Sequence, residues 1–167
     1  SIIDLSPSGR QPMCSASNRY WISFNGEIYN FRDLAVELEI LGYQFRGHSD
    51  TEVLLAAIET WGIDTALQRV IGMFAFALWD RDQKTLHLAR DRVGEKPLYY
   101  GWVANRFLFA SELKALCIAP DWNGDISREA LDRLMRYGYI PAPYTIYRAA
   151  RKLERSRRKK AAAEKLA

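Results

Sequence analysis

Cysteine and histidine are scarce in this 167-residue chain, which contains two of each: Cys14, Cys117, His48 and His87. The two cysteines lie far apart, so they indicate neither a disulfide framework nor a metal site. Neither histidine stands in a pattern that would make it a catalytic base. We therefore expect idle or buried thiols, and no metal and no cofactor in this domain.

Long apolar runs are also missing. No run approaches the roughly 20 residues that span a membrane, and the N-terminus shows no basic segment followed by an apolar one. The glycine spacing ahead of a Lys-Ser/Thr pair, which marks a phosphate-binding loop, is absent as well. The content of 49% hydrophobic and 26% charged residues is typical of one soluble globular domain. We expect a cytoplasmic protein with no membrane partner.

The net charge of +4 comes from one end of the chain. Residues 148–167 contain nine Lys or Arg against two Glu, a charge of +7, which leaves 15 basic and 18 acidic residues in 1–147. A basic run such as 155–160 can bind nucleic acid or another anionic surface. Because such runs are more often solvated chain ends, we expect a disordered or foreign tail over 154–167 and no nucleic-acid partner.

The stretch 24–30, FNGEIYN, is the centre of the functional interpretation. Residues 20–24 predict a strand, and Asn25-Gly26 directly after it predicts a tight turn, because both residues tolerate positive φ. Such a turn would point the Gly26 N–H and the Asn25 carboxamide outward, and two neighbouring neutral donors can hold an oxyanion. On the dipeptide alone, an ordinary hairpin turn is the alternative.

Two helices are predicted after this turn. Asn30 is a suitable N-cap for the first, which ends at Gly42. Ser49 and Glu52 form a capping-box pattern at the start of the second. Asp50 would be its first residue, where the helix dipole keeps a carboxylate ionised.

Later segments predict strands in hairpins. Residues 73–79 are wholly apolar and too short for a buried helix, which indicates a strand buried on both faces. Further strands are predicted over 85–90, 98–103 and 106–110. Antiparallel strands with two helices packed on one face give an α+β fold.

Two segments are predicted to lie outside the core. Residues 90–97 are dense in charge, which favours a salt-bridged surface loop. Pro141 and Pro143 predict a stiff linker over 141–153 that leads out of the domain.

Five motifs, in this order, resemble the class II glutamine amidotransferase domain of glutamine-hydrolysing asparagine synthetases. They are FNGEIYN (24–30), HSDTE (48–52), IGMFAFALWD (71–80), LARDRVGEKPLYYG (88–101) and FASELKAL (109–116). The resemblance extends from Ser1 to about Leu153. It implies an N-terminal-nucleophile (Ntn) hydrolase fold, a four-layer αββα sandwich with antiparallel sheets, here without its first strands. The amidotransferase domain would then occupy 1–140.

The resemblance also implies a reaction and a site. Glutamine is the substrate, and Asn25 and Gly26 form the oxyanion hole. Ile2, Ile3, Asn25, Gly26, Glu27 and Asp50 contact glutamine, with Asp50 binding its α-amino group. The reaction is hydrolysis of the glutamine side-chain amide, which releases ammonia. The ammonia is then used to amidate aspartate in a synthetase domain of the same chain, which uses ATP and magnesium.

The nucleophile that the resemblance implies is an N-terminal cysteine, which neither Cys14 nor Cys117 matches in context. We therefore expect this chain, as given, not to cleave the amide. The alternatives are a non-catalytic module that binds an amino acid or a partner protein, and Ser1 as the nucleophile of a different amidohydrolase. Without its leading strands a sheet would expose an unpaired edge, which favours pairing with a second copy in a homodimer.

Overall fold

The structure is a computed structural model that describes residues 10–155 and 158–162. Its helices are α1 (Phe31–Ile40), α2 (Asp50–Trp61), α3 (Ile63–Arg69), α4 (Leu113–Cys117) and α5 (Arg128–Tyr137). Its strands are β1 (Met13–Cys14), β2 (Tyr20–Ile28), β3 (Gly72–Asp80), β4 (Thr85–Arg90), β5 (Tyr99–Val103), β6 (Arg106–Ala110), β7 (Ala150–Lys152) and β8 (Arg158–Ala162).

The strands form two sheets. The first has the order β1-β2-β3-β4-β8, the second has the order β6-β5-β7, and all pairs between neighbours are antiparallel. Strands β2 and β3 make the longest pairing, nine residues from Tyr20↔Asp80 to Ile28↔Gly72. The predicted α+β class with antiparallel sheets is confirmed.

Strand β3 is apolar from Gly72 to Trp79, as expected of a strand that is covered on both faces, and ends in Asp80, which pairs with Arg19. Phe74, Phe76 and Leu78 belong to the core cluster that also contains residues of α1 and α2. Ala75 and Ala77 alternate with them and pack toward the second sheet. Alternation of large and small side chains thus places helices on one face of the sheet and a second sheet on the other.

The second core lies between the two sheets. Besides Ala75 and Ala77 it contains the buried side chains of Leu88, Leu98 and Leu153.

Asn30 precedes α1 but does not cap it through its side chain. Its Nδ2 donates to the Arg69 carbonyl at 3.0 Å, and its Oδ1 accepts from the Ile71 N–H at 2.8 Å. Asn30 is thus the N-cap residue of α1 as predicted, with its carbonyl accepting from the Leu34 N–H at 3.2 Å, but its side chain takes no part in the cap. The carboxamide instead ties the end of β2 to the segment that leads into β3, a contact between residues about 40 positions apart.

Ser49 caps α2 as predicted, with its Oγ accepting from the N–H groups of Thr51 and Glu52 at 3.1 and 3.3 Å. The Glu52 carboxylate does not complete a capping box. It accepts from the N–H groups of Arg46 and Gly47 at 2.8 and 2.9 Å and so holds the loop before the helix.

The segments predicted as linker and tail both contribute strands. Within 141–153, β7 pairs with β5, and Leu153 is buried between the sheets. In the described part of the tail, β8 pairs with β4. The interpretation as linker and disordered tail is thus wrong for these residues, because each offers backbone groups to an open sheet edge.

Candidate functional site

Asn25 and Gly26 do not form a turn. Strand β2 continues through both residues, which pair with Ala75 and Phe74 of β3. Gly26 has φ +149°, and a Cβ at this position would lie 2.1 Å from the Met73 carbonyl oxygen. Glycine is required here by close backbone approach inside a sheet, so the predicted turn is wrong although the predicted need for glycine is right.

The Asn25 side chain lies on the β2 face that points toward the second sheet. Between the sheets is a cavity of about 200 Å³. It is lined by Ser23, Asn25, Ala75, Phe76, Ala77, Leu98, Phe109, Ala110 and Ser111. The Asn25 Nδ2 donates to Ser111 Oγ at 3.2 Å, across the gap between the sheets. The carboxamide is thus a neutral donor in a cleft between the two sheets that alanine, leucine, phenylalanine and serine side chains line.

Asp50 is the first residue of α2 and is 1% exposed. Its Oδ2 accepts from the Ile28 N–H at 3.0 Å, which fastens the start of α2 to the end of β2. Burial raises the pKa of Asp50, and the nearby negative charge of Glu27 adds to this, against the hydrogen bonds from Ile28 and Thr51. The helix N-terminus is therefore not the dominant influence on this carboxylate.

The structure brings part of the predicted site together. Gly26 and Glu27 are consecutive on β2, and Asp50 bonds to the next residue of that strand, Ile28. The Asn25 side chain lies on the other face of the sheet from the helices. Ile2 and Ile3 lie outside the described residues. Among the residues that the structure describes, no group of three or more His, Cys, Asp or Glu could hold a metal ion.

Asp91 belongs to the segment 90–97, whose charge density predicts a surface loop, but its side chain is buried and the residue is 1% exposed. Its carboxylate accepts from five backbone N–H groups. Those of Val93, Gly94 and Glu95 donate to Oδ1, and those of Phe74 and Lys96 donate to Oδ2. Burial acts to raise the pKa of Asp91, but these backbone donors outweigh it, so the pKa is lowered. Asp followed by Gly three positions later is a recognisable side-chain turn signal.

Arg90 completes the attachment of this loop. Its Nε donates to the Lys96 carbonyl at 2.6 Å, its Nη1 to the Leu153 carbonyl at 2.8 Å, and its Nη2 to the Gly94 carbonyl. The charged loop 90–97 is thus organised by backbone groups and not by the salt bridges that were predicted. It is held against β3, beside the residue that pairs with Gly26.

Comparison with known proteins gives a family for this arrangement. A family model described as "Glutamine amidotransferase domain" matches residues 1–167. The chain belongs to this family. It is 43% identical over 154 residues to "Asparagine synthetase [glutamine-hydrolyzing] 1" of Bacillus subtilis, which covers 92% of this chain and 24% of that protein.

A second relative has a similar name and is likewise much longer than this chain. A "Putative asparagine synthetase [glutamine-hydrolyzing] 2" of Methanocaldococcus jannaschii is 34% identical, over 92% of this chain and 32% of that protein. The chain therefore spans about a quarter to a third of the length of these relatives.

A solved structure supports the fold. Glutamine phosphoribosylpyrophosphate (PRPP) amidotransferase from B. subtilis, complexed with ADP and GMP, matches with a TM-score of 0.61 and 27% identity, covering 69% of this chain and 27% of that chain. The predicted Ntn-type amidotransferase fold is confirmed. In residues 10–155 and 158–162, no helix has the length and apolar character needed to cross a membrane.

Proposed function

We propose that this domain hydrolyses the side-chain amide of glutamine and that Asn25 and Gly26 hold the oxyanion of the tetrahedral intermediate. The observation that carries the proposal is the position of Asn25. The Asn25 side chain presents a neutral donor to a cavity between the two sheets. The residue after Asn25 in β2 is Gly26, whose backbone lies in close contact with β3. Donors held by a rigid sheet are what stabilisation of a developing negative charge requires.

The attacking group in this proposal is the thiolate of an N-terminal cysteine, with its own α-amino group moving the proton. The thiolate adds to the amide carbon, ammonia leaves, and water then releases glutamate. Ammonia passes to a synthetase domain of the same protein, where aspartate is activated with ATP and magnesium and becomes asparagine. The names of the relatives support this assignment. We place the reaction in the cytoplasm.

Glu27 and Asp50 are the proposed contacts for the polar end of glutamine. Both lie near the end of β2, and Asp50 has a carboxylate that an ammonium group could neutralise. In the structure Asp50 is 1% exposed and bonded to the Ile28 N–H, so binding through it requires that its Oδ1 become accessible. Ile2 and Ile3 are proposed to line the same pocket.

The test is a glutaminase assay of the full-length gene product, with glutamate and ammonia measured. Asn25→Ala should lower kcat about 100-fold or more, because one oxyanion donor is commonly worth that much. Asn105→Ala is the matched control, since Asn105 is exposed in the turn between β5 and β6. If the wild-type protein releases no glutamate, the proposal fails in favour of a non-catalytic binding module. If Asn25→Ala behaves like the control, the oxyanion assignment fails.

A further inference from the structure

The hydrogen-bond partner of the Asn25 side chain lies at the end of a strand of the second sheet. Ser111 follows β6 directly, and its Oγ accepts the hydrogen bond from Asn25 Nδ2 at 3.2 Å. Asn25 and Ser111 are 86 positions apart in sequence, so the contact exists only because the two sheets face each other. Both side chains line the cavity between the sheets.

A single hydrogen bond matters here because little else restrains the Asn25 side chain. The alternation along β2 leaves Asn25 exposed, whereas its neighbours Phe24 and Gly26 are buried. Six of the nine residues that line the cavity are alanine, leucine or phenylalanine, and Ser23 and Ser111 supply hydroxyl groups. Of these two hydroxyls it is that of Ser111 that accepts a hydrogen bond from the Asn25 carboxamide, so this bond favours one orientation of the side chain.

The chemistry of the carboxamide fits this arrangement. An asparagine Nδ2 carries two hydrogens. One is used by Ser111 Oγ, and the other remains available for an oxyanion in the cavity. A donor that is already in place when charge develops costs no reorganisation, and this is the main advantage of a preformed oxyanion hole.

We propose that Ser111 is a positioning residue for glutamine hydrolysis and acts through Asn25 by fixing its carboxamide across the gap between the two sheets. This inference rests on the proposed function. It adds to that function a residue at the end of β6 in the second sheet, so that the oxyanion hole is completed only when both sheets are assembled.

The first experiment compares Ser111→Ala with wild type in the full-length protein. Without the hydroxyl the carboxamide samples other rotamers, and a neutral hydrogen bond is worth roughly a three- to tenfold factor in an equilibrium. We expect kcat for glutaminase to fall about three- to tenfold, with KM for glutamine changed by less than about twofold, because the contact serves the transition state and not substrate binding. Ser111→Thr keeps a hydroxyl and should restore most of the rate.

Ser23→Ala is the matched comparison, because Ser23 lines the same cavity from β2 but makes no side-chain hydrogen bond to Asn25. Its effect on kcat should be clearly smaller than that of Ser111→Ala. An equal effect from both variants would show that any hydroxyl in the cavity matters, and would overturn the specific role of Ser111.

A double-mutant cycle decides whether Ser111 acts through Asn25. In the Asn25→Ala background, Ser111→Ala should cause no further loss of kcat, because the group that it positions is gone. Additive losses would overturn the inference while leaving the proposed function intact. Absence of glutaminase activity in the wild-type protein would instead overturn the proposed function, so the two failures are distinguishable.

Discussion

The Asp91 carboxylate offers the sharpest test of how the site region is held together. Five backbone N–H groups donate to it, and the side chain is 1% exposed. Removing it in Asp91→Ala leaves all five donors without that partner. The donors differ in their access to water: Phe74 is 4% exposed, whereas Val93 is 73% exposed.

The expected magnitude follows from these exposures. Water can replace the carboxylate at Val93 but not at Phe74, and a buried donor that loses its partner costs about 1–3 kcal/mol. With the half-buried donors of Gly94 and Lys96 added in part, Asp91→Ala should lower the free energy of unfolding by about 3–5 kcal/mol. Asp91→Asn keeps one acceptor oxygen but turns an NH2 group toward two of the donors, so we expect about 2 kcal/mol.

The assay is urea denaturation at pH 7, with Asp82→Ala as the matched control. The Asp82 side chain is 70% exposed and lies near Arg19 at 3.4 Å, so its removal should cost less than about 1 kcal/mol. If Asp91→Ala unfolds at the same urea concentration as wild type, the carboxylate does not hold the loop.

The pH dependence gives an independent check. The backbone donors lower the pKa of Asp91 in the folded state. The ionised carboxylate therefore contributes its full share of the folding stability above the unfolded-state pKa of about 3.9. That stabilisation is lost as the pH falls toward the lower pKa of the folded state. Wild-type stability should therefore fall more steeply below pH 4 than that of Asp91→Asn. Equal slopes in the two proteins would refute the reasoning.

Two further predictions concern β2 and its contact with α2. Gly26→Ala should lower the free energy of unfolding by about 3 kcal/mol or more, because its Cβ would lie 2.1 Å from the Met73 carbonyl oxygen. Gly42 also has a positive φ but no atom within 4 Å of the added Cβ, so Gly42→Ala should cost about 1–2 kcal/mol. Equal thermal unfolding of the two variants would contradict this prediction. Asp50→Asn keeps an acceptor for the Ile28 N–H, so the free energy of unfolding should stay within about 1 kcal/mol of wild type. Because the variant loses the negative charge proposed to bind the substrate ammonium, KM for glutamine should rise about tenfold or more. An unchanged KM in steady-state assays would leave Asp50 with a structural role alone.

The elements with a strong local pattern could be predicted from sequence. The apolar strand over 73–79, buried on both faces, and the Ser49 cap of α2 both appear in the structure as expected. Each depends on residues within a few positions of one another. Asn30 is the N-cap residue of α1 as predicted, but its side chain bonds across about 40 positions, and those partners could not be assigned from its neighbours.

The turn predicted at Asn25-Gly26 was wrong for a related reason. Glycine occurs both in tight turns and in strands whose backbones approach closely, and the neighbouring sequence does not tell the two apart. At Gly26 only the position of β3 in the fold distinguishes them. Asp91 shows the same limit. A loop dense in charge is expected to face water. The spacing of Asp91 and Gly94 indicates a side-chain turn, but it does not show that the carboxylate is buried against β3, where it also accepts from Phe74.

Two buried carboxylates together explain why the proposed oxyanion donors can be part of a strand. Asp50 binds the backbone of β2 at Ile28, and Asp91 binds the backbone of β3 at Phe74, the residue paired with Gly26. The Gly26–Phe74 pair is therefore flanked by fixed points on both strands. A turn would hold Asn25 and Gly26 through local dihedral preferences alone, whereas nine consecutive residue pairs and these two carboxylates hold them through the sheet. Catalytic groups supported in this way are positioned before the substrate arrives, which is the condition for strong electrostatic stabilisation of a transition state.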